Sequence, residues 1–183
     1  AFMLLPRAAF LALRLSPCLL PKLSVKNRKG GHFMNQQLRQ DADRIIADAI
    51  HAVLPDQAVI RALEAASFPG RIRLVAAGKA AWQMAQAASK TLGDSLECGV
   101  ICTKYGHCGG KLPKITCCEG GHPIPDENSL RATDAALSLV QGLTAQDTVL
   151  FLLSGGGSAL FEKPLIPLHE LQDITPVSYT HLT

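Results

Sequence analysis

Aromatic residues make up only 5% of this 183-residue sequence and charged residues only 18%. With hydrophobic residues at 48%, the composition argues against low-complexity disorder, and one sizeable core is expected. Plentiful small apolar residues suit helices packed closely on a sheet. No uninterrupted apolar run is long enough for a bilayer, because Pro6 and Pro17 break the one apolar terminus. No C-x-x-C pair occurs among Cys18, Cys98, Cys102, Cys108, Cys117 and Cys118. Cys102, His107, Cys108 and His122 do not have zinc-ligand spacing either, so no metal ligand is assigned. Reduced, mostly buried thiols of a cytoplasmic protein are expected instead. Cys117 and Cys118, adjacent in an apolar run, should point to opposite faces of a strand.

Acidic residues are missing altogether from residues 1–33, which carry Arg7, Arg14, Lys22, Lys26, Arg28 and Lys29. Residues 34–183 therefore hold 12 of the 18 basic residues against all 15 acids. The formal charge of +3 hides a mildly acidic body, which gives no reason to expect nucleic acid. Residues 1–33 read as a leader, either translated non-native sequence or a targeting segment. Lys29-Gly30-Gly31 is compatible with the codons of a bacterial ribosome-binding sequence, and Met34 follows at a suitable distance. A domain is expected over residues 34–175. Residues 176–183 read as a foreign tail, because the helical pattern from Leu168 to Ile174 stops at Thr175-Pro176.

Between these ends the period of the apolar residues alternates. Leu38, Ile45, Ile46, Ala49, Ile50 and Val53 form one stripe of a helix over 35–53. Pro55 ends it, and Asp56 is placed to cap a second helix reaching Leu63–Ala66. Strands are expected at 71–77, 98–103, 115–119 and 148–153, and helices at 80–92 and from Pro125-Asp126 to Gly142. Strands alternating with helices predict an α/β fold with a mainly parallel sheet and helices on both faces.

In open α/β sheets the ligand lies at the carboxyl ends of the strands. Two such ends stand out. After the first strand comes Gly78-Lys79-Ala80, where a lysine in the first helical turn is unfavourable unless an anion sits there. After the strongest strand comes Ser154-Gly155-Gly156-Gly157-Ser158. Three glycines beside a buried strand cost chain entropy, and they allow a turn whose N–H groups converge on an anion. Neither loop is a G-x-x-x-x-G-K-[ST] phosphate loop. The second is neither G-x-G-x-x-G nor a G-x-S-x-G nucleophile elbow. Lys104, His107 and His122 gather polar groups near the other strand ends, where each histidine either meets substrate or bonds backbone.

Taken in order, G-K-A at 78–80, T-K-Y-G-H at 103–107, G-H-P-I-P-D-E-N at 121–128 and L-S-G-G-G-S-A-L at 153–160 resemble the N-terminal, DUF4147-like region of the MOFRL-type glycerate 2-kinases. The resemblance covers residues 35–174. It implies a Rossmann-like domain, truncated here, whose active site lies in the cleft to a C-terminal MOFRL domain absent from the sequence. It implies ATP- and Mg²⁺-dependent phosphorylation of the 2-hydroxyl of D-glycerate, with Lys79 as the catalytic lysine. A partner arginine from the later half of the family has no counterpart here. Ser154, Gly155, Gly156, Gly157 and Ser158 would hold the nucleotide, and Gly78, Lys104, His107 and His122 the substrate. The partner expected is a small molecule, with no nucleic acid and no membrane; homo-oligomerisation stays open. Two alternatives remain. One is a non-catalytic nucleotide or sugar-phosphate binding domain. The other is an NAD(P)H-dependent hydroxypyruvate reductase, which the absent dinucleotide fingerprint disfavours.

Overall fold

A computed structural model gives the fold and describes residues 36–181, with side chains through Pro176. The proposed leader, the candidate start at Met34 and the last two residues of the tail lie outside the described residues. The chain runs α1 (Gln36–Val53), α2 (Pro55–Glu64), β1 (Ile72–Ala77), α3 (Ala81–Leu92), β2 (Leu96–Lys104), β3 (Ile115–Gly120), α4 (Glu127–Leu139), β4 (Thr148–Leu153), α5 (Gly157–Leu160) and α6 (Leu168–His181). The four strands form one sheet in the order β3-β2-β1-β4, and every pairing is parallel. The α/β architecture expected from the alternating periods is therefore the one observed.

Both faces of the sheet are covered, as buried parallel strands require. On one face Leu74, Ala76, Ile101, Leu150 and Leu152 pack with Val59 and Leu63 of α2 and Met84, Ala85 and Ala88 of α3. On the other, Val75, Ala77, Val100 and Cys102 pack with Ala132 and Ala136 of α4. Alanines on the helix faces let the backbones approach the sheet closely. Cys117 joins the first cluster and Cys118 the second, the opposite facing that adjacent strand residues demand. Cys102 donates from Sγ to the Ala132 carbonyl, and burial pushes its thiol up to about 12, so it is an inert core group.

Three local expectations change. The stripe on α1 exists, yet none of its residues is buried; α2 and α3 already occupy that face of the sheet. Asp56 does not cap α2. Leu54 is the N-cap, Pro55 takes the first turn where its missing N–H costs nothing, and Asp56 lies one step too late. Helix α6 does not stop at Thr175 but continues through Pro176 to His181. A proline inside a helix forfeits one backbone bond; just before it, the Thr175 hydroxyl donates to the Leu171 carbonyl at 2.6 Å. By contrast Asp126 caps α4 as expected. Its side chain accepts from Ser129 N–H at 2.9 Å, and the Ser129 hydroxyl closes the capping box.

At the amino ends of the strands, Asp147 is nearly buried and accepts two bonds from Arg71, at 2.7 and 2.8 Å. It also accepts from the Thr144 N–H and hydroxyl. The Arg71 bonds, then those from Thr144, hold its carboxyl well below the usual carboxylate range. A carboxyl depressed in the folded state contributes stability that is complete above its unfolded value, about 3.9, and is lost as pH falls through the folded value. Asp147→Asn is therefore expected to lower the melting temperature at neutral pH and to flatten its fall below about pH 4. Melting curves between neutral and strongly acid pH decide it; an unchanged acid limb would remove Asp147 from the account.

Candidate functional site

Strand β1 is central. The chain leaves it toward β2 on one side, while β4 pairs on the other. The carboxyl ends of β1 and β4 therefore flank the point where the strand order reverses, the place where open α/β sheets open a crevice. Ala77 is in register with Leu153. Gly78 and Ser154 follow directly, so the two glycine-bearing loops meet by construction.

Hydrogen bonds weld them together. Ser154 N–H donates to Ala77 O at 2.9 Å, and Lys79 N–H to Gly155 O at 3.0 Å. The Ser154 hydroxyl accepts from Ala80 N–H at 3.0 Å and lies 3.4 Å from Ala77 O. Ser154 thus serves the start of α3, a task its position in a phosphate-loop pattern does not announce. Gly78 is buried with φ of +111°, and a Cβ there would stand 2.3 Å from Ser154 Oγ and 2.5 Å from Ser154 O. Only glycine fits this crossing. Thr103 Oγ1 donates to Gly78 O at 3.0 Å and ties β2 to the same point.

Above the weld the side chains converge. Gly156 has φ of +85°, and a Cβ on it would meet His122 Nε2 at 2.8 Å and Lys79 Cε at 3.1 Å. The missing side chain lets the exposed Lys79 and the partly buried His122 close on the backbone of Gly156 from the same side. Gly155 has open space beside it, and Ser158 is exposed at the start of α5. Lys104, half-buried at the end of β2, and His107 add to the field at His122. Burial, followed by the charges of Lys79 and Lys104, holds the His122 imidazole below its ordinary value, so it is neutral near pH 7. The two histidines differ in role. His107 donates from Nδ1 to the Lys79 carbonyl at 3.0 Å and so braces the lysine loop. His122 turns its Nε2 toward Gly156.

A network that sequence inspection misses holds these loops. Tyr105 donates to Asp126 Oδ2 at 2.7 Å and accepts from Asn128 Nδ2 at 2.6 Å. Trp82 Nε1 donates to Gly110 O at 2.9 Å, pinning the 105–110 loop to α3. The partners are 21 to 28 residues apart, so no local pattern could reveal them. Beside Gly157 and Ser158, a groove of about 340 Å³ is lined by Phe151, Leu153, Ser154 and Phe161.

Lysines, an imidazole and bare glycine backbone brought to one strand end suit an anion, and phosphate oxygens match such a set. Among the described residues the site offers no ligand set for a divalent cation. Mg²⁺ wants oxygen ligands, and among the described residues no three of His, Cys, Asp or Glu gather in a metal-binding group. Cys102 itself lies in the core, with its thiol given to the Ala132 carbonyl.

Residues 41–177 match the family model described as "Domain of unknown function (DUF4147)". The chain belongs to this family. It is 48% identical over 145 residues to a D-glycerate 2-kinase of Thermotoga maritima, covering 78% of this chain and 34% of the relative. It is 39% identical over 138 residues to a glycerate 2-kinase of Pyrococcus horikoshii, covering 69% and 31%. The crystal structure of a glycerate kinase from Thermotoga maritima superposes with a TM-score of 0.72 at 46% identity, covering 79% of this chain and 35% of that one. The DUF4147 chain thus spans about a third of the length of these relatives. Among its described residues no helix is long and apolar enough to cross a membrane.

Proposed function

We propose that this chain supplies the phosphate-handling half of an ATP-dependent glycerate 2-kinase that phosphorylates the 2-hydroxyl of D-glycerate. The observation that carries the proposal is the convergence of Lys79 and His122 on the side-chain-free face of Gly156, at the switch point between β1 and β4. Phosphoryl transfer asks the protein mainly for positioning and for charge around the moving group. Lys79 supplies charge, the 155–158 backbone a surface a phosphate can approach, and Lys104 and His122 polar groups for a carboxylate-bearing acceptor. The similarity to two glycerate 2-kinases supports this assignment.

On this proposal the active site is completed across a cleft by a second, MOFRL-type domain, as the family resemblance implies, and Mg²⁺ accompanies ATP without a ligand cluster from the described residues. Five free cysteines among the described residues fit a reducing compartment, the cytoplasm. The test follows ADP released from ATP by the full-length gene product with D-glycerate. Hydroxypyruvate-dependent NADH oxidation in its place would favour a reductase, and phosphosugar binding without ADP a binding module.

A further inference from the structure

We propose that His122 Nε2 is the proton acceptor for the attacking hydroxyl in this reaction, and that the nucleotide's own charge makes it one. The inference rests on the kinase assignment above and adds a residue role to it. Three structural facts lead there.

The first is position. Nε2 of His122 and the amino-bearing carbon of Lys79 both close on the side-chain-free face of Gly156, 2.8 and 3.1 Å from where a Cβ would stand. A phosphoryl group brought to Lys79 over this glycine arrives next to the imidazole. A hydroxyl attacking it comes within the reach a general base needs.

The second is the direction of the other polar groups. His107, the remaining imidazole of the site, is spent on the Lys79 carbonyl. The carboxylates nearest in the chain are diverted as well. Glu119 on β3 accepts from Cys108 N–H at 2.9 Å, and Asp126 accepts from the Tyr105 hydroxyl and from Ser129. The groups that act on the His122 ring from the packed elements are Lys79 before α3, Lys104 at the end of β2 and His107 in the following loop. None of these is an acid.

The third follows from the first two. With cations around it and part of its surface buried, the free imidazole stays neutral and has a lone pair to offer. A bound triphosphate opposes the lysines and raises the ring's affinity for a proton at the moment a proton must be taken up. The step balances. The hydroxyl oxygen forms its bond to the γ-phosphorus, the bond from that phosphorus to the β-phosphate oxygen breaks, and ADP leaves with the electron pair. The hydroxyl proton passes to Nε2, giving an imidazolium that solvent discharges after product release.

The experiment has two arms. In the full-length gene product, His122→Gln keeps the size and polarity of the side chain but cannot hold the proton. Turnover is expected to fall about a hundredfold, and the acid limb of the kcat–pH profile to disappear. The KM for ATP is expected to stay within about threefold, a split that a merely structural role would not produce. In the 183-residue chain, ring-nitrogen NMR is expected to show His122 titrating below the ordinary imidazole range, and rising when ATP is added. Wild-type ADP formation with an unimpaired His122→Gln variant, or a His122 ring indifferent to ATP, overturns the inference and leaves the kinase assignment standing. No ADP from wild type overturns both.

Discussion

Lys79→Ala in the full-length gene product is expected to lower turnover with D-glycerate roughly 10²–10³-fold, a loss of about 2.7–4 kcal/mol of transition-state stabilisation. The lysine is exposed at the end of β1, and its backbone, not its side chain, makes the bond to Gly155 that joins the two loops. Truncation therefore removes charge without dismantling the weld. The melting temperature should barely move, since an exposed side chain outside the core contributes within about 0.5 kcal/mol. Rates and melts measured on the same preparation separate the two effects. Near-wild-type turnover would take Lys79 out of the reaction.

Gly156→Val is expected to abolish ATP binding by the 183-residue chain. A β-branched residue at φ of +85° is strained by roughly 1–3 kcal/mol. Its Cβ would also stand 2.8 Å from His122 Nε2 and 3.1 Å from Lys79 Cε. The His122 ring would have to shift and Lys79 to give by a few tenths of an ångström, and the new methyl groups would cover the backbone between them. Calorimetry with ATP reads the affinity, and a circular-dichroism melt checks that the fold survives. Retained affinity in a folded variant would reduce the triple glycine to a tight turn.

The parts of this molecule legible in its sequence are those whose causes are local. Apolar runs such as Thr148–Leu153 name buried strands, and the Asp126 cap names the start of α4. The two glycine-bearing loops stand out because glycine beside a buried strand needs a reason, and their close approach supplies it for Gly78. What stayed hidden depends on distant partners. Ser154 reads as a phosphate ligand, and the pattern gives no sign of the bond that its hydroxyl accepts at the start of α3. His107 and His122 look equivalent in sequence, and only the fold gives one to a backbone carbonyl and turns the other toward Gly156. The Tyr105–Asp126–Asn128 network joins two loops through residues with no shared spacing. Helix α1 shows the reverse: a clear amphipathic stripe states that a face is apolar, not that this part of the chain covers it. Pro176 similarly reads as a stop, because a helix passing through proline is unfavourable in isolation.

On the proposed function, the β1 and β4 loops form a phosphate site working on D-glycerate. The most direct measurement is ADP release from ATP by the full-length gene product with and without D-glycerate, with the phosphorylated product identified. D-glycerate-dependent ADP, 2-phosphoglycerate as the product, and loss of both in Lys79→Ala are expected. ADP release indifferent to D-glycerate, or to Lys79, would contradict the proposed function.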